Sequence, residues 1–302
     1  MTQRRIKENL IHRKDIVLKD TTSDLLEEVE YLHAKKCYNE TGKLISETEY
    51  SDSGLMLQET INNFNDNGLL IEEITRDGDG EVLEHKRFEY DPTGKVIKEF
   101  RYYMDDTFDT TFCHYTDGIL TKKECVDFDG EVESTEEYSV ENGLVVAKSV
   151  KDADGEVVHE QKMTYDAKNR VVSLYDVNSS DNKANRKTEY EYYESGNKKS
   201  ILVFNGSDEL IERTLFDEDE KGQIIRVEEE TTKKKNTTSF TFDERGNILF
   251  QEERDMKGQV VSRLERVYND QNEIMSSTVF ISGENTRISK NYTLRQEYHY
   301  FD

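Results

Sequence analysis

Three Asp-rich segments are the part of the chain whose spacing most resembles a metal site. They read Asp77-Gly-Asp-Gly-Glu81, Asp127-Phe-Asp-Gly-Glu131 and Asp152-Ala-Asp-Gly-Glu156. A calcium ion needs roughly six to eight oxygen ligands and usually a distal bidentate carboxylate. The chain lacks the Asp-x-Asp-x-Asp-Gly loop with its distal Glu. Because tight turns also select Asp before Gly, we interpret these segments as turns, with calcium binding as the alternative.

The histidines give neither a catalytic nor a metal pattern. They lie at His12, His33, His85, His114, His159 and His299, without a His-Glu-x-x-His spacing. His85 and His159 follow Gly80 and Gly155 at near-equivalent distances, which is typical of surface strand positions in a repeat. Carboxylates are so frequent that no pair stands out as a general acid and base. We therefore predict a protein that is not an enzyme, with no catalytic, cofactor-binding or metal-binding residues and no cofactor.

The cysteines do not form a disulfide framework. There are three of them, Cys37, Cys113 and Cys125, and an odd number in a long chain argues against a set of structural bridges. Cys113 and Cys125 could face each other across one hairpin, but the sequence does not fix the register that would decide it.

A repeat positions all of these residues. Each copy has an aromatic residue, a polar turn with Gly or Asn, and a pair of aliphatic residues, as in Tyr90-Asp-Pro-Thr-Gly94-Lys-Val-Ile97. The Gly or Asn anchors lie at positions 42, 68, 94, 118, 143, 169, 196, 222, 246 and 272, so successive anchors are 24 to 27 residues apart. Gly and Asn tolerate the positive φ that a hairpin turn requires. A second, Asp-rich series of turns lies between them, anchored at positions 54, 80, 130, 155, 208 and 258.

These two turn series predict an all-β fold. Each half-step of 12 to 14 residues accommodates one strand and one turn, so each repeat is one hairpin and ten repeats give about twenty strands. We expect an extended antiparallel β-meander of about ten tandem hairpins, as a single-layer or coiled repeat sheet. A propeller groups four strands in each blade. A blade would then contain two hairpin repeats, and the sequence period would be about 52 residues. Alternate repeats would have to differ from each other, and they do not, so we do not predict a propeller.

The segment before the repeats differs from them. Residues 1–36 are interpreted as an N-terminal cap segment, and residues 37–302 as the repeat domain. Ser23 is a plausible helix cap. The apolar spacing of Leu25, Leu26, Val29 and Leu32 suits a short amphipathic helix. Such a helix could cover the open edge of the first strand. The alternative is an irregular first strand.

Other irregular stretches fall between the repeats or at the C-terminus. Residues 178–185 predict a longer loop, and residues 233–236 predict another turn of the second series. The tyrosines of Tyr190–Tyr193 and Tyr298–Phe301 are interpreted as cross-strand packing, with a binding platform as the alternative. The second of these clusters would end the last strand and offer an edge.

The motif Tyr-Asp-x-x-Gly-x-hydrophobic-hydrophobic resembles the YD repeats of the Rhs family. Good copies lie at 90–97, at 165–172 with Asn in place of Gly, and at 242–249 with Phe in place of Tyr. The resemblance to YD repeats extends over roughly residues 37–280. The hairpins are also similar to MORN-type and antitoxin-like repeats. Rhs proteins build a large shell of YD hairpins around a toxin, for which this chain is too short. The resemblance therefore implies the hairpin sheet and not encapsulation.

The composition narrows the choice of partner. Apolar residues make up 34% of the chain and charged residues 35%, and the formal net charge is −24. Such acidity disfavours nucleic acid and anionic membranes and favours a basic partner. We expect a cytoplasmic, non-enzymatic structural or protein-interaction scaffold that binds another protein, either a basic one or a second copy, without inserting into a membrane. For the compartment, the alternative is secretion without a classical signal or after removal of a signal peptide. The alternative function is that of an acidic antitoxin or immunity-type protein that binds a basic toxin, and carbohydrate binding through tyrosines ranks below both.

Overall fold

The protein was analysed as a computed structural model that describes residues 4–18, 26–105, 107–179, 181–283 and 289–302. These residues form 22 β-strands and one short 3-10 turn, Asn182–Ala184. The strands are β1 Ile6–Leu18, β2 Leu26–Tyr38, β3 Leu44–Tyr50, β4 Met56–Phe64, β5 Leu70–Asp77, β6 Val82–Tyr90, β7 Val96–Tyr102, β8 Phe108–Thr116, β9 Ile119–Val126, β10 Val132–Glu141, β11 Leu144–Lys151, β12 Val157–Tyr165, β13 Val171–Asn178, β14 Arg186–Tyr192, β15 Lys198–Asn205, β16 Leu210–Glu218, β17 Ile224–Thr231, β18 Lys235–Phe242, β19 Ile248–Asp255, β20 Val260–Tyr268, β21 Ile274–Ile281 and β22 Lys290–Tyr300. Among the described residues, no helix has the length and apolar character to cross a membrane.

The turn after β12 shows how the repeat anchors fold. The amide of Asp166 donates to the carbonyl of Arg170 at 2.9 Å, and the amide of Asn169 donates back to the carbonyl of Asp166 at 3.0 Å. The Asp166 carboxylate accepts the amides of Lys168 and Arg170 at 2.8 and 3.0 Å. Asn169 has a φ of 61°, and the strand register shifts at Tyr165. This is a turn closed by a positive-φ residue that forms a bulge, the usual form of a longer hairpin loop.

The anchors predicted from sequence are confirmed. All ten have positive φ, Asn169 and Asn272 among them, and so do the six anchors of the second series. The ten first-series anchors lie in the turns from β2–β3 to β20–β21, so ten hairpins account for the twenty strands β2–β21. The loop expected near residues 178–185 contains the 3-10 turn, and the turn at residues 233–236 joins β17 to β18.

The open meander is wrong, because the sheet closes. All 22 strands belong to one antiparallel sheet, in which β1 pairs with β2 on one side and with β22 on the other. Across the β1–β22 ladder, the side-chain Nδ2 of Asn9 donates to Gln296 Oε1 at 2.9 Å. The MORN-like arrangement as an open repeat sheet is therefore also wrong. The edge expected at Tyr298–Phe301 is covered instead by β1, which pairs with β22 as far as Tyr300.

The N-terminal helix is also wrong over the residues that the structure describes. Leu26, Val29 and Leu32 lie in β2, which confirms the alternative of an irregular strand, while Ser23 and Leu25 lie outside the described residues. The irregularity is a bulge: Ile11 pairs with Ala34 and His12 pairs with Leu32, so His33 is skipped. Residues three apart on a strand point to opposite faces. The helix-like spacing of these aliphatics therefore reflects a sheet that packs apolar side chains on both faces.

The described residues form two compact units. The first unit comprises Met1–His85 and Thr238–Asp302, and the second comprises Lys86–Thr237. This division does not test the boundary expected at residue 36, which stays a prediction.

Hydrogen bonds rather than a thick apolar core hold each unit together. Ala34 is the only buried apolar residue among those described. Instead, the tyrosine hydroxyl of one repeat donates to the carbonyl of the first aliphatic residue in the repeat before it. These bonds, 2.6 to 3.1 Å long, join Tyr115 to Val96, Tyr165 to Val145, Tyr192 to Val171, Tyr268 to Ile248, and Tyr298 to Ile274. The aromatic position therefore links neighbouring hairpins by a polar bond as well as by packing.

Candidate functional site

The Asp-rich turns have the geometry of self-capped turns. Asp77 Oδ1 accepts the amides of Asp79 and Glu81 at 3.0 and 2.9 Å, and Asp152 Oδ1 accepts those of Asp154 and Glu156 at 3.1 and 3.0 Å. The first carboxylate of each turn is therefore committed to its own backbone. This favours the interpretation as turn residues over the calcium alternative.

His85 and His159 each pair with one carboxylate on a neighbouring strand. His85 Nε2 lies 3.0 Å from Glu72 Oε1, and His159 Nε2 lies 2.6 Å from Asp176 Oδ1. Burial would raise the pKa of Asp176, but hydrogen bonds from Gln161 and His159 outweigh it and hold that pKa below its usual value. Both histidines therefore take part in cross-strand pairs of the kind that stabilise a sheet.

The tyrosine clusters are largely committed to the fold. Tyr192 donates to the Val171 carbonyl, and Tyr193 donates to the Phe216 carbonyl at 2.6 Å. Tyr300 donates to Glu273 Oε2 at 2.6 Å, and burial, followed by this bond, raises its pKa to about 12. Hydroxyls used in this way support cross-strand packing rather than a free platform.

A hollow lies beside the ladder that closes the sheet in the first unit. It has a volume of about 750 Å³ and is lined by Lys7, Glu8, Cys37, Tyr38, Asn39, Glu40, Ile45, His299, Tyr300 and Phe301. Glu8 lies 2.6 Å from Lys35 Nζ and 3.4 Å from His299 Nδ1, and His299 Nε2 lies 3.0 Å from Glu297. These contacts commit the Glu8 carboxylate to partners within the chain.

A cluster of possible metal-binding groups lies in the second unit. The ligand atoms of Asp109, Cys125 and Glu133 are all within 4.8 Å of one another. Burial raises the pKa of the Cys125 thiol, and the nearby carboxylates of Asp109 and Glu133 raise it further. Asp109 accepts a hydrogen bond from Tyr103, whose pKa this bond raises to about 12. The Cys125 thiol donates to Glu133 Oε2 at 3.8 Å, so both carboxylates of the cluster already accept a hydrogen bond from within the chain.

The other cysteine of this hairpin is not opposite Cys125. Cys113 pairs with Lys123 and Cys125 pairs with Thr111, so the two thiols are diagonal neighbours on one face. Both are free, as is Cys37.

A surface of the second unit combines exposed apolar side chains with carboxylates. It consists of three turns, one at residues 103–107 and two of the second series at 127–133 and 152–158, and we call it the acidic–apolar row. Tyr103, Met104, Phe128, Val132, Val157 and Val158 are its exposed apolar members. Sequence reasoning identified the turns at Asp127 and Asp152 as acidic, but it did not identify the turn at residues 103–107 or the surface that the three turns form.

Comparisons with known proteins leave the family open. No family model matches the chain, and no curated protein matches it. Among solved structures, it is similar to a chain of the Photorhabdus luminescens Tc holotoxin pore, with 11% identity, a TM-score of 0.42, and coverage of 90% of this chain. This chain spans only 18% of that one.

Porin-like proteins of Bacteroides are also among the structural neighbours. The one from Bacteroides uniformis has 9% identity and a TM-score of 0.29, with coverage of 97% of this chain and 98% of that one. The one from Bacteroides vulgatus has 11% identity and a TM-score of 0.27, with coverage of 73% and 95% respectively. Likeness this distant carries no argument about compartment or activity, so the expected cytoplasmic location and the absence of catalysis stay predictions.

Proposed function

We propose that the chain is a non-enzymatic protein-interaction scaffold, in which a hydrogen-bonded hairpin sheet presents turns to a partner protein. The observation that carries the proposal is the acidic–apolar row, where large apolar side chains are exposed beside carboxylates. Exposed apolar groups grouped together and rimmed by polar ones are typical of protein interaction sites. Aromatic residues and Met are enriched in protein interfaces. In the row these residue types are Tyr103, Met104 and Phe128.

The strands below the row suit a scaffold because they hold the turns rigidly. Every strand from β7 to β12 pairs with the next one along the chain. Each turn of the row is closed by at least one backbone hydrogen bond of 2.9 to 3.1 Å, as between the Asp127 amide and the Glu131 carbonyl. A preorganised surface loses little conformational entropy when a partner binds.

A second candidate function is favoured by the charge of this surface. An acidic antitoxin or immunity-type protein would neutralise a basic toxin by covering its cationic surface. The two functions share the same binding chemistry and differ in what binding does to the partner. The partner would be expressed alone and together with this chain. If it inhibits growth alone and co-expression of this chain removes the inhibition, the result favours the antitoxin function over the scaffold function.

Site-specific cross-linking in the native cell tests the scaffold proposal. A photoreactive amino acid would be placed at Met104 in the row, and at Glu40 and Glu244 in exposed turns of the first unit. We expect a discrete protein adduct from at least one position, reproduced when chain and partner are mixed in purified form. If every position yields only uncross-linked chain, the scaffold proposal is overturned.

A further inference from the structure

We infer that the acidic–apolar row is the docking site for a segment of a partner protein that is rich in Lys and Arg and also carries apolar side chains. This inference rests on the proposed scaffold function. It adds the surface that binds and the chemistry of the segment that it takes.

The row has a regular spacing. Its turns join β7 to β8, β9 to β10, and β11 to β12, and these strands are consecutive in the sheet. Adjacent strands lie about 4.8 Å apart, so successive turns are about 10 Å apart and the row is about 20 Å long. An extended peptide rises about 3.3 Å per residue, so about six residues span the row. A short linear segment can therefore contact every turn at once.

The charge of the row is of one sign. Residues 103–107, 127–133 and 152–158 contain nine Asp and Glu and no Lys or Arg. In the strands beneath, carboxylates are matched by cations, as Glu136 is by Lys148 at 2.8 Å and Glu137 by Lys151 at 2.7 Å. Among the row residues that the structure describes, no carboxylate lies within ion-pair distance of a Lys or Arg. A cationic partner would supply the charges that the chain itself does not.

The apolar members provide anchors between these carboxylates. Met104 is 91% exposed and Phe128 is 59% exposed. The Phe128 ring packs edge-on against Phe108 with centroids 5.7 Å apart, and Phe108 in turn packs against Phe100 at 5.8 Å. Phe128 is therefore held from below while its outer surface faces solvent. A partner segment that carried only charged side chains would leave the outer surface of Phe128 exposed to solvent. Because binding energy is concentrated in desolvated anchors, we assign apolar side chains to the segment as well.

The charge of the row argues against other occupants. Nucleic acid and anionic membranes carry the same sign of charge and would be repelled. A second copy that placed its own row against this one would bring like charges together, which disfavours association. A basic segment is attracted, and long-range attraction of this kind speeds binding at low salt.

Peptide binding to the full-length chain tests the inference. The probe is a fluorescent peptide of about ten residues that alternates Lys and Leu, with Lys–Ser and Gln–Leu peptides as charge-only and apolar-only controls. The row variant is Asp129→Asn with Glu131→Gln, Asp154→Asn and Glu156→Gln, which retains the turn caps Asp127 and Asp152. The matched control makes the same charge change at first-series turns of the first unit: Glu40→Gln, Asp66→Asn, Glu244→Gln and Asp270→Asn.

We expect the Lys–Leu peptide to bind more tightly than either control peptide, and binding to weaken between about 0.05 and 0.5 M salt. The row variant should weaken it at least about tenfold, or about 1.4 kcal/mol, and the matched control variant by less than about twofold. Met104→Ser with Phe128→Ser should weaken it while leaving its salt dependence unchanged. Circular dichroism verifies that each variant is folded.

Several results would overturn the inference. Equal loss in the row and control variants would show diffuse attraction to an acidic chain, and equal binding of the Lys–Ser peptide would remove the apolar component. A dimer in sedimentation that Met104→Ser dissociates would make a second copy the occupant. If cross-linking in the cell finds a partner only at positions outside the row, the scaffold function stands and this docking site does not.

Discussion

The tyrosine bridges between repeats make a prediction about stability. Tyr192→Phe removes the hydroxyl that donates to the Val171 carbonyl at 2.7 Å and leaves the ring in place. The Arg170 guanidinium, 4.4 Å from the centre of that ring, can still stack on a phenylalanine. The substitution therefore isolates one hydrogen bond from the packing around it.

The size of the effect follows from the geometry of the bond. A half-buried neutral hydrogen bond of this kind contributes about 1 kcal/mol to the free energy of unfolding. The equivalent bonds of Tyr115 and Tyr165 lie in other repeats of the same unit. Distant sites without shared partners add, so the triple Tyr→Phe variant should lose about 3 kcal/mol. That is a large part of the roughly 5 to 15 kcal/mol by which a domain is stable.

Urea unfolding followed by circular dichroism measures this loss. The control is Tyr190→Phe, because the Tyr190 hydroxyl makes no hydrogen bond to any residue in the described part of the chain, while its ring faces Lys198 at 5.0 Å. We expect the midpoint to fall stepwise from single to triple variant, with a nearly unchanged slope, and the control to lie within about 0.5 kcal/mol of the parent. A triple variant as stable as the control would refute the proposed role of the repeated tyrosine.

Further predictions concern the turns. Asn169 has a φ of 61°, so Asn169→Gly should leave thermal stability almost unchanged, whereas Asn169→Ala should cost about 1 kcal/mol; equal effects would contradict the left-handed conformation. Hydrogen bonds from donors of their own turns lower the pKa of Asp91, Asp166 and Asp243. A lowered pKa adds stability above the unfolded value near 4 and loses it as the pH falls through the folded value. The triple Asp→Asn variant, which keeps the acceptor oxygens, should therefore lose less stability than the parent between about pH 6 and pH 3 in urea titrations, and parallel curves would contradict this.

The repeat could be predicted from sequence because its signals are local. Gly42 and Gly94 are anchors because of the positive φ that they adopt, and an Asp or Asn at the start of a turn caps its own backbone. Spacing alone then fixes the number of strands. The tyrosine was recognised as a packing residue, but its bond to a carbonyl in the preceding repeat depends on the strand register, which the sequence does not give.

Closure of the sheet could not be predicted, because the closing strand lacks the repeat. β1 and β2 are 13-residue strands, and the aliphatic residues Leu26, Val29 and Leu32 of β2 fall on alternate faces, so they do not show the two-residue period of a strand with one apolar face. The acidic–apolar row was missed for a related reason. Asp129 and Glu131 were visible as turn residues, but the exposure of Met104 and Phe128 depends on which turns are neighbours in the sheet.

Pairing of β1 with β22 closes the sheet, and disulfide trapping tests this pairing most directly. Lys14 pairs with Thr293 on β22 and with Glu30 on β2. Paired residues of antiparallel strands have Cα atoms about 4.5 to 5.5 Å apart, which suits a disulfide. With the natural cysteines replaced by serine, Lys14→Cys is combined either with Thr293→Cys or, as the control, with Glu30→Cys. We predict that both pairs form a disulfide within the monomer; a disulfide that forms only in the control pair would contradict the closed sheet.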